Sequence, residues 1–180
     1  ANIVESANII GNSNIIIDDT PGISIGEMRS KCRKFKLEKD IQLVIVDYLQ
    51  LMTTNGRSSS REQEIAEISR TLKGIAREFN VPVIALSQLN RAAETREDKK
   101  PIMADLRESG SIEQDADIVM FIDRSMNEIE AESESRPDLG MAKLIVAKHR
   151  NGATRDIDLA FNPEFTKFMD FIDDSRVGSF

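Results

Sequence analysis

Residues 43–47 read Leu-Val-Ile-Val-Asp, an apolar and largely β-branched run that ends on a carboxylate. Ile41 to Val46 is apolar at five of six positions, Gln42 being the exception. That pattern predicts a strand buried on both faces, as in a parallel sheet. An aspartate closing such a strand stands at the C-terminal edge of the sheet, where open α/β folds bind ligands. Asp47 there can hold the water shell of a magnesium ion, or it can simply cap a turn. A second apolar run, Val81 to Leu86, ends in Ser87-Gln88-Leu89-Asn90-Arg91. Gln88 thus brings an uncharged amide to the same edge as Asp47. It can sense a terminal phosphate or orient a water without adding charge; the alternative is an amide that satisfies loop backbone.

Two further stretches carry candidate chemistry. Asp105 to Asp117 (DLRESGSIEQDAD) reads as a polar loop with more acids than bases. Side chains of that sign repel phosphates, yet backbone N–H groups beside Gly110 can bind one regardless; composition alone favours a solvated loop. Lys148-His149-Arg150-Asn151-Gly152 joins two strand-like runs, and no acid occurs from 139 to 155. Its cations, with Lys143 and Arg155, form either a solvated tip or a hand offered to an anion on another subunit. His149 is the only histidine, so a multi-histidine metal site is excluded, and it reads as surface. Cys32 reads as a small packing residue on a helix.

The elements that must position these groups follow from periodicity. Residues 3–10 form a weak helix ended by Gly11, and Asn14 to Ile17 a short strand stopped by the turn cluster Asp18 to Gly22. Ser24 with Glu27 is a capping box opening a basic helix to about Phe35. Thr53 to Arg61 is Gly/Ser-rich and reads as a mobile loop. Ile65, Ile68, Leu72, Ile75 and Phe79 recur at spacings of three and four, the stripe of an amphipathic helix. Arg91 to Lys100 reads as loop, Ile118 to Ile122 as a third buried strand, and Asn127 to Asp138 as an acidic surface excursion. Met141 to Lys148 and Arg155 to Phe161 pair through the Asn151-Gly152 hairpin signal, and Lys167 to Ile172 adds a last strand. Buried strands separated by a helix and long connections define an α/β sheet with a C-terminal β-hairpin extension.

Composition sets the outer bounds. With 180 residues, 40% hydrophobic and 31% charged, the chain can bury one core. No run approaches a membrane span, and the N-terminus lacks a signal-peptide layout. One cysteine allows no internal disulfide and fits a reducing cytoplasm. Trp is absent and aromatics are 5%, against an aromatic platform for single strands. A net charge of -7 taken alone also argues against nucleic acid.

The motifs override that last inference. IDDTPGISIGEMRSKCRKFK, VIVDYLQLM, EIAEISRTLKGIAREFNVPVIALSQLNR, DLRESGSIEQDADIVMFIDR and AKHRNG, in this order and spacing, resemble the C-terminal ATPase domain of DnaB-type replicative DNA helicases. The resemblance runs from about Ile16 to Phe168. It implies a RecA-like fold with a mostly parallel sheet, and a homo-hexameric ring around single-stranded DNA with ATP and Mg²⁺ bound between neighbours. By that resemblance Asp47 is the Walker B magnesium aspartate, and Gln88 couples the ATP γ-phosphate to the DNA loops. Arg107, Glu108 and Gly110 fall on the DNA-contacting loop, and Thr53 to Arg61 on the other channel loop. Lys148 and Arg150 reach into the neighbour's site, Arg150 as the arginine finger. Primase and a helicase loader are the implied partners, and the location is cytoplasmic.

One departure accompanies the match. A P-loop needs glycines ahead of Lys and Ser/Thr, and no glycine of this chain is followed by lysine. The family's catalytic glutamate is not found either. Both are expected upstream of Ala1, so residues 1–180 read as the C-terminal part of the ATPase domain. A RecA-type recombinase is the rival on the same fold, against which DLRESGSIEQD and KHRNG argue. A non-catalytic DNA- or ring-binding module without a P-loop is the rival from another class. Mixing this chain with ATP, Mg²⁺ and single-stranded DNA should give no turnover, and robust phosphate release would overturn the incomplete-site reading.

Overall fold

The computed structural model describes residues 2–54, 56, 60–90, 96, 100–124 and 140–171. The acidic stretch 127–138 and much of the 53–61 and 91–100 segments lie outside the described residues. Helix α1 spans Asn2–Gly11 and α2 spans Ile25–Lys39. The Ser24 hydroxyl accepts the Glu27 backbone N–H at 3.2 Å, the N-cap half of the expected capping box, while the Glu27 carboxylate pairs with Lys31 at 3.1 Å. The helix outruns the expected end at Phe35 because Lys36, Leu37, Glu38 and Lys39 are all good helix formers. It stops at Asp40, in the left-handed region with φ 46°, whose N–H donates to the Lys36 carbonyl. Ahead of α2, Asp18 accepts from Thr20 Oγ1 at 2.6 Å and pairs with Lys31 at 2.7 Å. Those bonds, the Lys31 one foremost, hold the Asp18 carboxyl down at about 2.

Strand β1 (Val44–Val46) pairs in parallel with β2 (Val83–Ala85), Val46 lying opposite Ala85. The connection between them is α3 (Arg61–Phe79), capped by Ser60 and closed by Asn80 at φ 51°. The stripe expected on α3 is buried throughout, and it packs with Ile25, Met28, Cys32, Leu49 and Met52 into the main core. Burial pushes the Cys32 thiol up, consistent with a packing role. Glu78 near the end of α3 binds Arg29 and Arg33 of α2, each at 2.7 Å, and so joins the two helices.

After β2, the stretch read as a polar loop is helical: a 3₁₀ segment over Met103–Ser109 continues into α4 (Gly110–Asp115). The reason is Asp105, which is buried and accepts the Ile102 N–H at 2.8 Å. Both Asp105 oxygens also accept from Arg96, at 3.0 and 2.7 Å, and this pairing lies across a sequence gap that periodicity does not reveal. Strands β3 (Ile118–Asp123), β4 (Gly140–His149), β5 (Arg155–Asn162) and β6 (Lys167–Asp170) form one antiparallel sheet in sequence order. At Gly152 in the β4–β5 turn a Cβ would lie 2.4 Å from the His149 ring, so a larger residue there must displace that side chain. The α/β class with its hairpin extension is therefore the observed one.

Two further expectations fail. Asn14 to Ile17 forms no strand; Ile15 and Ile17 are exposed, and among the described residues no strand pairs with them. The strands read as buried on both faces are buried on one only. Val44, Val46 and Val83 face the helices, whereas Ile45 is 60% exposed, Ile122 is 56% exposed, and Ile84, Ile118 and Met120 are also open. Apolar residues on both faces say that both sides are suited to burial, not that both covers are present among the described residues. No helix among them is long and apolar enough to cross a membrane.

Ile68 is fully buried, so Ile68→Ala should lower the unfolding free energy in urea by about 2–5 kcal/mol. Ile45→Ala on the open face should stay within about 0.5 kcal/mol; equal losses would show that this face is covered.

Candidate active site

The two apolar strands deliver their polar ends to one place. The Leu86 N–H donates to the Val46 carbonyl at 2.9 Å, and the Leu49 N–H donates to the Leu86 carbonyl at 2.9 Å. These bonds prolong the β1–β2 pairing past the last ladder residues, so Asp47 and Gln88 both leave the parallel pair at its C-terminal edge, one and three residues beyond the ladder. The Asp47 carboxylate is exposed, and among the described residues no cation or donor is bonded to it. Gln88 is held by its backbone while its side-chain amide, also exposed, makes no bond among the described residues. A free carboxylate beside a free amide, each on a fixed backbone, is an arrangement able to receive a hydrated cation and a phosphate oxygen.

The backbone of Gln88 is fixed by a residue that periodicity passes over. Gln50 lies in the 3₁₀ turn Leu49–Leu51, three residues after Asp47. Its side-chain amide accepts the Gln88 N–H at 3.2 Å and donates to the Gln88 carbonyl at 3.3 Å and to Ser87 Oγ at 3.1 Å. A signal was available: Gln50 is the one polar side chain between Leu49 and Met52.

The hairpin cations lie elsewhere, on α4. A helix leaves its last carbonyls without intrahelical partners, and cations are favoured there. Lys148 Nζ donates to the Glu113 carbonyl, and Arg150 Nη2 to the Gln114 carbonyl at 3.2 Å. The Arg150 backbone N–H donates to the Asp117 carbonyl at 2.8 Å, and its guanidinium lies 3.5 Å from the Asp117 carboxylate. Asp117 also pairs with Lys73 of α3. The hydrogen bond from Lys73, helped by the nearby positive charges, holds the Asp117 carboxyl below its ordinary value against a small burial effect. Lys148 and Arg150 are thus brought together with each other and with α4, but no described contact joins them to Asp47 or Gln88.

Arg107 and Glu108 lie on the 3₁₀ segment that enters α4, and their side chains are outside the described residues. Gly110 opens α4 in right-handed helical geometry, with φ -51°, and open space where a Cβ would stand. The presumed loop contacts therefore sit on the element that also carries the hairpin cations. Of the 53–61 segment, Thr53 bridges Ser24, and the Thr54 N–H donates to Glu64 at 3.2 Å.

A RecA-like α/β ATPase domain is the class that this fold and edge site define. The family model for the DnaB-like helicase C-terminal domain matches residues 1–170, and the chain belongs to that family. The replicative DNA helicase DnaC of Bacillus subtilis is 52% identical over 161 residues, which cover 89% of this chain and 35% of that protein. A solved DnaB-like replicative helicase, described with its interactions with primase, superposes with TM-score 0.83 at 43% identity over 94% of this chain and 41% of its own. Another solved chain, described as an ATPase domain, gives TM-score 0.84 at 42% identity, covering 94% of this chain and 59% of its own. This chain spans about a third of the length of the curated relatives it matches.

The lowered Asp117 carboxyl makes a pH prediction. Its ion pair contributes above the ordinary carboxylate value of 3.8 and is lost only as pH falls through the lower folded value. Titration followed by NMR should give an Asp117 midpoint below 3.8. Lys73→Met should raise that midpoint and cost less than about 1 kcal/mol of stability, as expected for an exposed pair. A midpoint unmoved by Lys73→Met would mean that the contact does not form in solution.

Proposed function

We propose that this chain is the C-terminal part of the ATPase domain of a replicative DNA helicase. The whole protein couples ATP hydrolysis to 5′→3′ movement on single-stranded DNA and unwinds duplex as a homo-hexameric ring. One observation carries the reading: Asp47 and Gln88, both exposed and with side chains unbonded among the described residues, follow the parallel strands at the same C-terminal edge, in a chain of the DnaB-like family. The residues fit the nucleotide. Asp47, an exposed carboxylate at the strand edge, would hold Mg²⁺ through its water shell. ATP would supply the phosphoryl group whose transfer drives movement, and Gln88 would respond to its γ-phosphate.

Lys148 and Arg150 serve the neighbouring subunit's nucleotide, with Arg150 as the finger, which demands a heterologous ring-closing interface. Their lack of contact with this chain's own Asp47 supports that division. Arg107, Glu108 and Gly110 contact the DNA backbone. No glycine of residues 1–180 is followed by lysine, so these residues supply the magnesium, γ-phosphate and finger groups of the proposed site and not a P-loop. Primase is the partner suggested by the solved relative described with it. A loader and a cytoplasmic location complete the proposal.

Gly110→Val tests the DNA role cleanly, since open space at that position leaves the fold room for the side chain. If the Gly110 main chain meets phosphate, the full-length variant should lose about tenfold in single-stranded DNA affinity, the worth of one charge-assisted hydrogen bond. ATP binding should persist. Unchanged DNA affinity would count against the assignment.

A further inference from the structure

We infer that Gln50 is the positioning residue for Gln88 and links it to the root of the 53–61 segment; this rests on the reading of Gln88 as the γ-phosphate group. Gln88 must present its side-chain amide from a backbone that is no longer in the β2 ladder. Beyond Leu86 no strand among the described residues pairs that backbone, and the Gln50 side chain bonds it instead. Its oxygen takes the Gln88 N–H, and its nitrogen serves the Gln88 carbonyl and Ser87 Oγ. Only a neutral group carrying both a donor and an acceptor can do this. Glutamate at this position keeps the acceptor and loses the donors, and leucine loses both at nearly the same volume.

Gln50 is itself well held. Leu49 beside it is buried in the main core and donates to the Leu86 carbonyl. On the other side, the Gln50 carbonyl accepts from Arg61 Nη2 at 2.7 Å. Arg61 is the first residue of α3 and the last of the 53–61 segment; it also bonds the Met52 carbonyl at 3.4 Å and pairs with Glu64. Glu64 in turn accepts the Thr54 N–H at the segment's other end. A displacement of the Gln88 backbone therefore reaches both ends of the segment through Gln50, by its side-chain amide on one side and its backbone carbonyl on the other. Arg61 and Glu64 clamp that segment, and Gln50 is where the clamp meets the nucleotide edge.

The test uses the full-length protein and a single-stranded DNA oligonucleotide. ATP turnover is measured with and without DNA for Gln50→Leu, Gln50→Glu, Gln88→Ala and the double variant Gln50→Leu/Gln88→Ala. Misplacing a group near the chemistry costs roughly tenfold to a hundredfold, so Gln50→Leu should lower the DNA-stimulated kcat by about tenfold or more. The KM for ATP should stay within about twofold, since the phosphate cradle is elsewhere. Gln50→Glu should fall between wild type and Gln50→Leu, and it carries the test alone if the leucine variant does not assemble. The double variant should lose no more than Gln88→Ala, because one residue acts through the other. Additive losses, or wild-type DNA stimulation in both Gln50 variants, overturn the inference. Wild-type stimulation in Gln88→Ala overturns the sensor reading, and the inference with it.

Discussion

The parallel pairing of β1 with β2 is the constraint on which the candidate site depends. Each strand is only three residues long, and the ladder alone is too short to be stable in water. What holds it is the core behind it, where Val44, Val46 and Val83 pack against α3 and α2. The pairing then runs on through Leu86 and Leu49, and that prolongation brings a carboxylate and an amide together from opposite ends of α3. A change that loosened the α3 stripe would act on the site through this ladder, without touching either polar residue.

A second coupling runs through α4. Lys148 and Arg150 satisfy carbonyls at the C-terminal end of a six-residue helix. The N-terminal end of that helix is Gly110, and Asp105 ties the preceding segment to Arg96 and to the Asn90 backbone. Groups assigned to DNA and to a neighbour's nucleotide thus share one small rigid element. Each cation is bonded chiefly to neutral carbonyls, and Asp117 is shared with Lys73, so release of the hairpin cations exposes no buried charge.

The net charge of -7 loses its force once the contacts are considered. Under the proposed assignment, a few backbone groups at Gly110 and two hairpin cations would do the binding, and these need no basic surface overall. The acids that set the total are partly consumed in local pairs: Asp18 with Lys31, Glu78 with Arg29 and Arg33, Asp105 with Arg96. Whole-chain charge describes long-range attraction, whereas a narrow site is governed by which groups remain unpaired within it.

Much was legible in the sequence because local physics decides it. The α3 stripe, the Ser24 cap, the Asn151-Gly152 hairpin, and an aspartate and a glutamine at strand ends all rest on periodicity or turn chemistry within a few residues. What lay beyond reach depends on partners distant in the chain. Asp105 converts a polar stretch into helix only because Arg96 and Ile102 bond to it. Asn14 to Ile17 is apolar enough for a strand, but among the described residues no strand pairs with it. Gln50 matters only because folding lays it along Gln88. Residue types and spacing determined which groups could do chemistry, since a side chain's functional group and its strand-end position are local properties. Tertiary structure alone decided which of them meet and which stay unpaired, because hydrogen bonds between elements exist only after the core has set the register of the strands.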